Sequence, residues 1–292
     1  IRDTWDGRNS WGGGYFGDGL SLSSDGNIIA FGRKSSINTE EEKVTILEKV
    51  SGSWQLRDYV GEPGGHVTLN YFGYTSGIAI SADGSILAVG SRGHTTNDGR
   101  VYVFSWNGTE YVLRDTIESP NPGSSEGFGK SVTLSSAGDK LGISTLSGGY
   151  NGGQVYNCSY NGTLQTWGVP ETTLTALTVG SPELNGGSDQ DSYADSISYN
   201  SDATILLVGS YLFGPSSQYG AFHIYDKSGT SWVYRGNVVN PRLTHFDFFG
   251  DSVAISGDGT KMVIGSSRDE PSSRSSTWES GSFTTFTSEE IV

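Results

Sequence analysis

From its first repeat onward the chain alternates apolar and polar positions in short runs, and most runs end in a pair such as Asp-Gly, Asn-Gly or Ser-Gly. Leu20 and Leu22, Ile78 and Ile80, and Val253 and Ile255 each stand two apart with a small residue between them. A period of two places such residues on one face of a β-strand. A second pattern follows each turn. Ile86-Leu87-Ala88-Val89-Gly90 and Lys261-Met262-Val263-Ile264-Gly265 are nearly continuous apolar runs, as expected of strands buried on both faces. No stretch carries apolar residues at helical spacing, so the pattern predicts strands throughout and almost no helix.

The runs recur as one unit, five times. The openings are Phe16-Gly17, Tyr74-Thr75, Phe128-Gly129, Tyr193-Ala194 and Phe249-Gly250. Each leads through an alternating strand to a turn at Asp25-Gly26, Asp83-Gly84, Ala137-Gly138, Asp202-Ala203 or Asp258-Gly259. A third strand, as in Val101-Tyr102-Val103-Phe104-Ser105-Trp106, then turns at Ser51-Gly52, Asn107-Gly108, Asn161-Gly162 or Ser228-Gly229 into a fourth that carries Trp54, Tyr111, Trp167 or Trp232. Four antiparallel strands per unit make a blade. The expectation is an all-β fold, a five-bladed β-propeller of four-stranded antiparallel blades, forming a single domain over residues 1–292. Glu290-Ile291-Val292 joined to Ile1-Arg2-Asp3-Thr4 reads like the stretch from Glu110 to Thr116, so the N-terminal strand is predicted to close the last blade. A longer array cut in mid-unit would give the same match, and the sequence leaves both readings open.

The recurring Phe-Gly-x-Ser-Val-x-Ile-Ser-x-Asp-Gly, best seen from Phe249, with Gly-x-Val-Tyr-Val-Phe from Gly99, resembles the FG-GAP repeat family over nearly the whole chain. That family includes the propeller heads of integrin α chains, and the resemblance implies extracellular adhesion or ligand binding. Its propellers usually have seven blades, so five repeats are a departure. Family members often hold calcium in an Asp-x-Asp-x-Asp-Gly loop; this sequence has none, and Asp189, Asp191 and Asp195 read as a solvated acidic loop. No metal or cofactor is expected. Asp25, Asp83, Asp202 and Asp258 read as turn formers.

Charge and composition narrow the partners. The formal charge is -14, from 18 basic against 32 acidic residues, which disfavours nucleic acid. The apolar runs are too short for membrane insertion. The lone Cys158 excludes an intrachain disulfide and reads as a small buried residue of the third strand. Asn107, Asn157 and Asn161 head three Asn-x-Ser/Thr sequons, which point to an extracellular or cell-surface glycoprotein, while Asn-Gly-Thr is equally hairpin chemistry.

In an up-and-down blade the short hairpin turns share one face, so a binding surface belongs to the variable connections opposite. There the aromatics Trp5, Trp11, Tyr150, Tyr211, Phe213, Phe246 and Trp278 are the candidate ligand or partner surface. Tyr15, Tyr71 and Phe248, just before the openings, also read as packing between blades. The histidines His66, His94, His223 and His245 show no metal spacing, and the first-strand positions Ser21, Ala79, Thr133, Ser198 and Ala254 carry no carboxylate, so no catalytic residue is assigned. The sequence therefore predicts a non-catalytic propeller outside the cell, joining protein partners or copies of itself in a surface fibre, filament or matrix. A lectin-like carbohydrate-binding propeller is the alternative, and a glycosidase the third reading.

Overall fold

In the computed structural model, the residues described are 14–35, 43–64, 70–74, 76–146, 153–168, 172–175, 193–213, 219–241, 247–268 and 281–290. Five antiparallel sheets follow one another along the chain. The first contains Gly14–Leu22 (β1), Ile28–Ser35 (β2), Lys43–Val50 (β3) and Ser53–Gly61 (β4). In the second are Ile78–Ile80 (β5), Ile86–Ser91 (β6), Arg100–Trp106 (β7) and Tyr111–Glu118 (β8). The third has Val132–Leu134 (β9), Lys140–Ser144 (β10), Gln154–Asn161 (β11) and Thr166–Trp167 (β12), with Thr172–Thr175 (β13) also pairing on β11. Tyr193–Tyr199 (β14), Ile205–Ser210 (β15), Ala221–Ser228 (β16) and Ser231–Val239 (β17) form the fourth. Phe249–Ile255 (β18), Lys261–Ser266 (β19) and Ser282–Thr287 (β20) are the described strands of the fifth. These sheets are the blades of a five-bladed β-propeller; within each, the strands pair in sequence order, β13 apart. The strand expected from Ile1-Arg2-Asp3-Thr4 lies outside the described residues.

The chain divides into two compact units, Ile1–Leu141 with Tyr160–Trp167, and Gly142–Ser159 with Gly168–Val292. In the first unit Val44, Ile46, Leu87, Val89, Phe72 and Tyr102 are almost wholly buried in one core cluster. In the second, Leu206, Val208 and Tyr225 lie at the centre of one cluster and Phe222, Phe249 and Met262 of another. Every residue of β6 is buried, and all but the first of β15, as their continuous apolar runs require.

The opening pair explains the repeat's glycines. Gly129 is left-handed at φ +90, and its carbonyl lies against the Cα of Gly90, the residue at which the preceding blade's second strand nears its end. A Cβ on Gly90 would fall closer than 3.0 Å to that carbonyl, so glycine is required by the approach of two backbones. Gly250 stands in the same way to Gly209 within the second unit, and Gly73 to Gly32 within the first.

That last pair corrects the sequence reading. Phe72 bridges Ser91, as Phe16 pairs with Arg33, Tyr193 with Ser210 and Phe249 with Ser266. The second blade therefore opens at Phe72-Gly73, before the expected Tyr74-Thr75. A small extra turn, closed by the Gly77 N–H donating to the Tyr74 carbonyl at 3.2 Å, lengthens the stretch. Spacing counted back from Gly90 could not reveal that insertion.

The turn between first and second strands is built the same way in the first, second and fifth blades. The Ser23, Ser81 and Ser256 hydroxyls each donate to an aspartate two residues on, Asp25, Asp83 and Asp258, and accept the N–H of the second strand's first residue. Donors from Ser23 and Asn27 hold the Asp25 carboxyl at about 2, and Ser256 and Thr260 do the same for Asp258. These aspartates are turn formers. In the third blade the role passes to Asp139, beyond the Ala137-Gly138 turn, which accepts from Ser135 at 2.8 Å.

Candidate functional site

Two short segments of the first unit run side by side at the end of the second blade: 70–74, which leads into the blade, and 91–94, which leaves its second strand. The Gly93 N–H donates to the Asn70 carbonyl at 2.9 Å and ties them together. Beneath them the nearly buried Glu62 carboxylate receives four side chains. Asn70 Nδ2 donates to Oε2 at 2.7 Å, while Ser91 Oγ at 2.7 Å, His94 Nδ1 at 3.2 Å and the Tyr102 hydroxyl at 3.3 Å meet Oε1. Burial, more than any neighbouring charge, raises the Tyr102 phenol's pKa and keeps it a donor.

His94 Nδ1 lies between two groups, Glu62 Oε1 at 3.2 Å and Asn70 Nδ2 at 3.4 Å; a carboxylate can only accept, so the shorter contact places the proton on Nδ1, and Nε2 has no hydrogen bond among the described residues. The imidazole's side chain retains 21% exposure. Carboxylate and imidazole thus form an oriented pair whose second nitrogen is available to a hydroxyl.

Aromatic side chains complete the site. Tyr71 adopts a left-handed backbone at φ +56, and its ring meets Tyr74 at 5.6 Å between centroids, tilted by 39°. The Arg92 guanidinium carbon lies 4.2 Å from the Tyr71 centroid and 5.8 Å from that of Tyr74. Such a cation over a ring is attracted by the quadrupole, with roughly 0.5–1 kcal/mol expected at exposed sites.

Part of this arrangement recurs in the second unit. Phe248, again just before an opening pair and again left-handed at φ +57, carries the Arg268 guanidinium at 4.4 Å and the Tyr211 ring at 4.9 Å. Elsewhere a simpler clamp closes the connections, with Ser119 Oγ donating to Glu126 at 2.6 Å and Asn240 Nδ2 to Asp247 at 3.2 Å. The acid stands two residues before the opening aromatic in both, whereas Asn70 holds that place in the second blade and its acid, Glu62, lies at the loop's start.

Of the aromatics expected to form a surface, Trp5, Trp11, Tyr150, Phe246 and Trp278 lie outside the described residues. Tyr211 is half-buried in the stack with Phe248. Phe213 is not part of an open surface: it is only 7% exposed and packs edge-on against His223 at 5.4 Å. Tyr71 and Phe248 carry cations on their rings. Asn107 and Asn161 are exposed and cap their hairpins through Oδ1, at 2.9 Å from the Thr109 N–H and 3.0 Å from the Thr163 N–H. Asn157 departs from the expected glycosylation site. It is buried, and its Oδ1 accepts from the Tyr199 hydroxyl, leaving no room for a glycan in the folded chain. Cys158 is buried.

Glu62, Asn70, Ser91 and Arg92 were not singled out by the sequence, and His94 was noted there only as a histidine without metal spacing. The signal was positional and needed the correct opening at Phe72. No group of three or more candidate metal ligands occurs among the described residues.

The FG-GAP repeat family matches residues 244–283, the stretch around Phe249 that carries the motif most fully. Residues 244–283 thus carry an FG-GAP repeat within a β-propeller fold. Among solved structures it is similar to a protein from Lactobacillus plantarum, with 12% identity and a TM-score of 0.53 over 85% of this chain and 63% of that one. It is also similar to a putative TolB from Agrobacterium tumefaciens, with 14% identity and a TM-score of 0.47 over 87% of this chain and 70% of that one. The chain spans 63% of the length of the first of these, and at 12% identity that likeness speaks for fold alone. No curated protein matches it significantly.

Proposed function

We propose that the chain is a non-catalytic adhesion or structural module that works outside the cell, holding protein partners or copies of itself through its variable connections. The observation that carries this reading is the Tyr211–Phe248–Arg268 stack, which places two half-buried rings and an exposed cation at the end of a blade. Aromatic and arginine side chains are the residues that most often dominate protein interfaces. FG-GAP propellers are typical of extracellular proteins, and the exposed sequons Asn107 and Asn161 fit that placement. The glycosidase reading would require two carboxyl groups facing one another across a sugar; the best-placed acid, Glu62, is instead surrounded by donors.

Light scattering over a dilution series tests the interaction. Reversible growth in mass with concentration is expected, and Phe248→Gly together with Arg268→Gln should weaken it by about tenfold, or about 1.4 kcal/mol. Inert monomers at every concentration, with the double variant indistinguishable, would contradict the reading. Carbohydrate binding is favoured by a separate observation in the first unit.

A further inference from the structure

We infer that the first unit carries a binding site for a neutral saccharide, formed by Tyr71, Tyr74, Arg92 and His94. The sugar ring would lie against the tyrosine pair, and its hydroxyls would meet the guanidinium and His94 Nε2. The inference rests on the reading of this chain as a binder and adds a ligand class and a site to it.

Backbone strain at Tyr71 is the first indication that the ring is there for a purpose. At the equivalent place in the third blade stands Gly127, whose φ of +62 comes without steric cost. The fold accepts glycine here, yet the second blade holds a tyrosine in the same left-handed region, a conformation that costs on the order of 1–3 kcal/mol for a side-chain-bearing residue. A ring kept against such a cost, and not sunk into the core, is suited to meet something outside the chain.

Arg92 supplies an independent observation. In a chain with 32 acidic residues it forms no ion pair and no side-chain hydrogen bond among the described residues, and its Nε–H is buried without an acceptor. Three other arginines reach a carboxylate, Arg57 at Glu48, Arg100 at Glu118 and Arg235 at Asp226, while Arg114 lies over the Tyr160 ring. Stacking on Tyr71 orders the Arg92 fork while leaving its donors unspent, which is the state of a group that hydrogen-bonds a ligand.

His94 completes the polar side. Glu62 fixes its tautomer, so Nε2 presents a lone pair to a hydroxyl proton. Glu62 itself has its oxygens taken up by Asn70, Ser91, His94 and Tyr102, and serves as the support beneath the site. Two tilted rings, a planar donor and an oriented acceptor are the components that recognise the apolar face and the equatorial hydroxyls of a sugar. A neutral sugar fits better than an acidic one, because a chain of formal charge -14 repels polyanions at low salt.

The test is retention of the full chain on an array of neutral oligosaccharides, uronate-bearing oligosaccharides and an acidic peptide. Retention on neutral glycans is expected, with Tyr71→Gly and Arg92→Gln each weakening it by about tenfold. Glycine takes the left-handed backbone freely, so Tyr71→Gly should denature at the wild-type midpoint or above it, which separates lost binding from lost folding. Retention confined to uronates or to the peptide, no retention, or retention unaltered by both variants would overturn the inference. Self-association in light scattering reads the broader proposal separately: an empty array with association intact removes this site alone.

Discussion

His223 lies at the third strand of the fourth blade with neither ring nitrogen bonded, ringed by Tyr193 at 5.3 Å, Phe213 at 5.4 Å and Tyr234 at 6.1 Å. Burial disfavours the imidazolium and lowers its pKa from 6.5 to about 4. The folded state thus binds fewer protons than the unfolded chain as acidity rises. Stability from this residue is intact above 6.5 and is lost as the pH falls from there towards 4, reaching roughly 3 kcal/mol. Denaturant midpoints measured from neutral pH down to about 4 should fall more steeply in the wild type than in His223→Leu; parallel curves would exclude the effect. This burial was not legible beforehand, because a histidine in an alternating strand looks the same whether its partner is water or an aromatic wall. The turn aspartates were legible because their partners lie two residues away. Asn157 was misread because a sequon says nothing of which way the strand faces.

The blades are joined by a device whose parts are visible in sequence but whose meaning is not. Residue pairing slips in the fourth strand between Leu56 and Asp58, between Leu113 and Asp115, and between Tyr234 and Gly236, so Arg57, Arg114 and Arg235 each occupy a β-bulge. Within the first unit the bulge aims each arginine at an aromatic of the following blade: Arg57 at Trp106, 4.0 Å from the centroid, and Arg114 at Tyr160, 3.7 Å. The aspartate that follows bonds forward as well, Asp58 accepting the Tyr111 N–H at 2.7 Å and Asp115 the Trp167 N–H at 2.8 Å. Arg235 is followed by Gly236 and turns back to Asp226 of its own blade. Asp58→Ala would leave the N–H of the buried Tyr111 without its acceptor and should cost about 1–3 kcal/mol in chemical denaturation. An unchanged midpoint would show that this bond holds nothing together. The Leu-Arg-Asp repetition was readable in the chain; a bulge leaves no mark in the hydrophobic period.

At the scale of the whole chain, fold class was legible because period-two strands, tight turns and a fivefold repeat all pointed the same way. The candidate site was largely hidden. Its residues come from Glu62, Asn70 to Tyr74 and Ser91 to His94, stretches that differ from blade to blade and carry no period. The insertion after Gly73 further displaced the register on which the site depends. The sequence's 32 acidic against 18 basic residues favour solubility at high ionic strength. The central claim is that this propeller works outside the cell as a binding module. Its most direct test is glycopeptide mass spectrometry of the protein recovered from its native source. The account predicts recovery from the cell surface or medium, with glycans on Asn107 and Asn161 and a bare Asn157. Recovery from the cytosol with all three asparagines bare would contradict it.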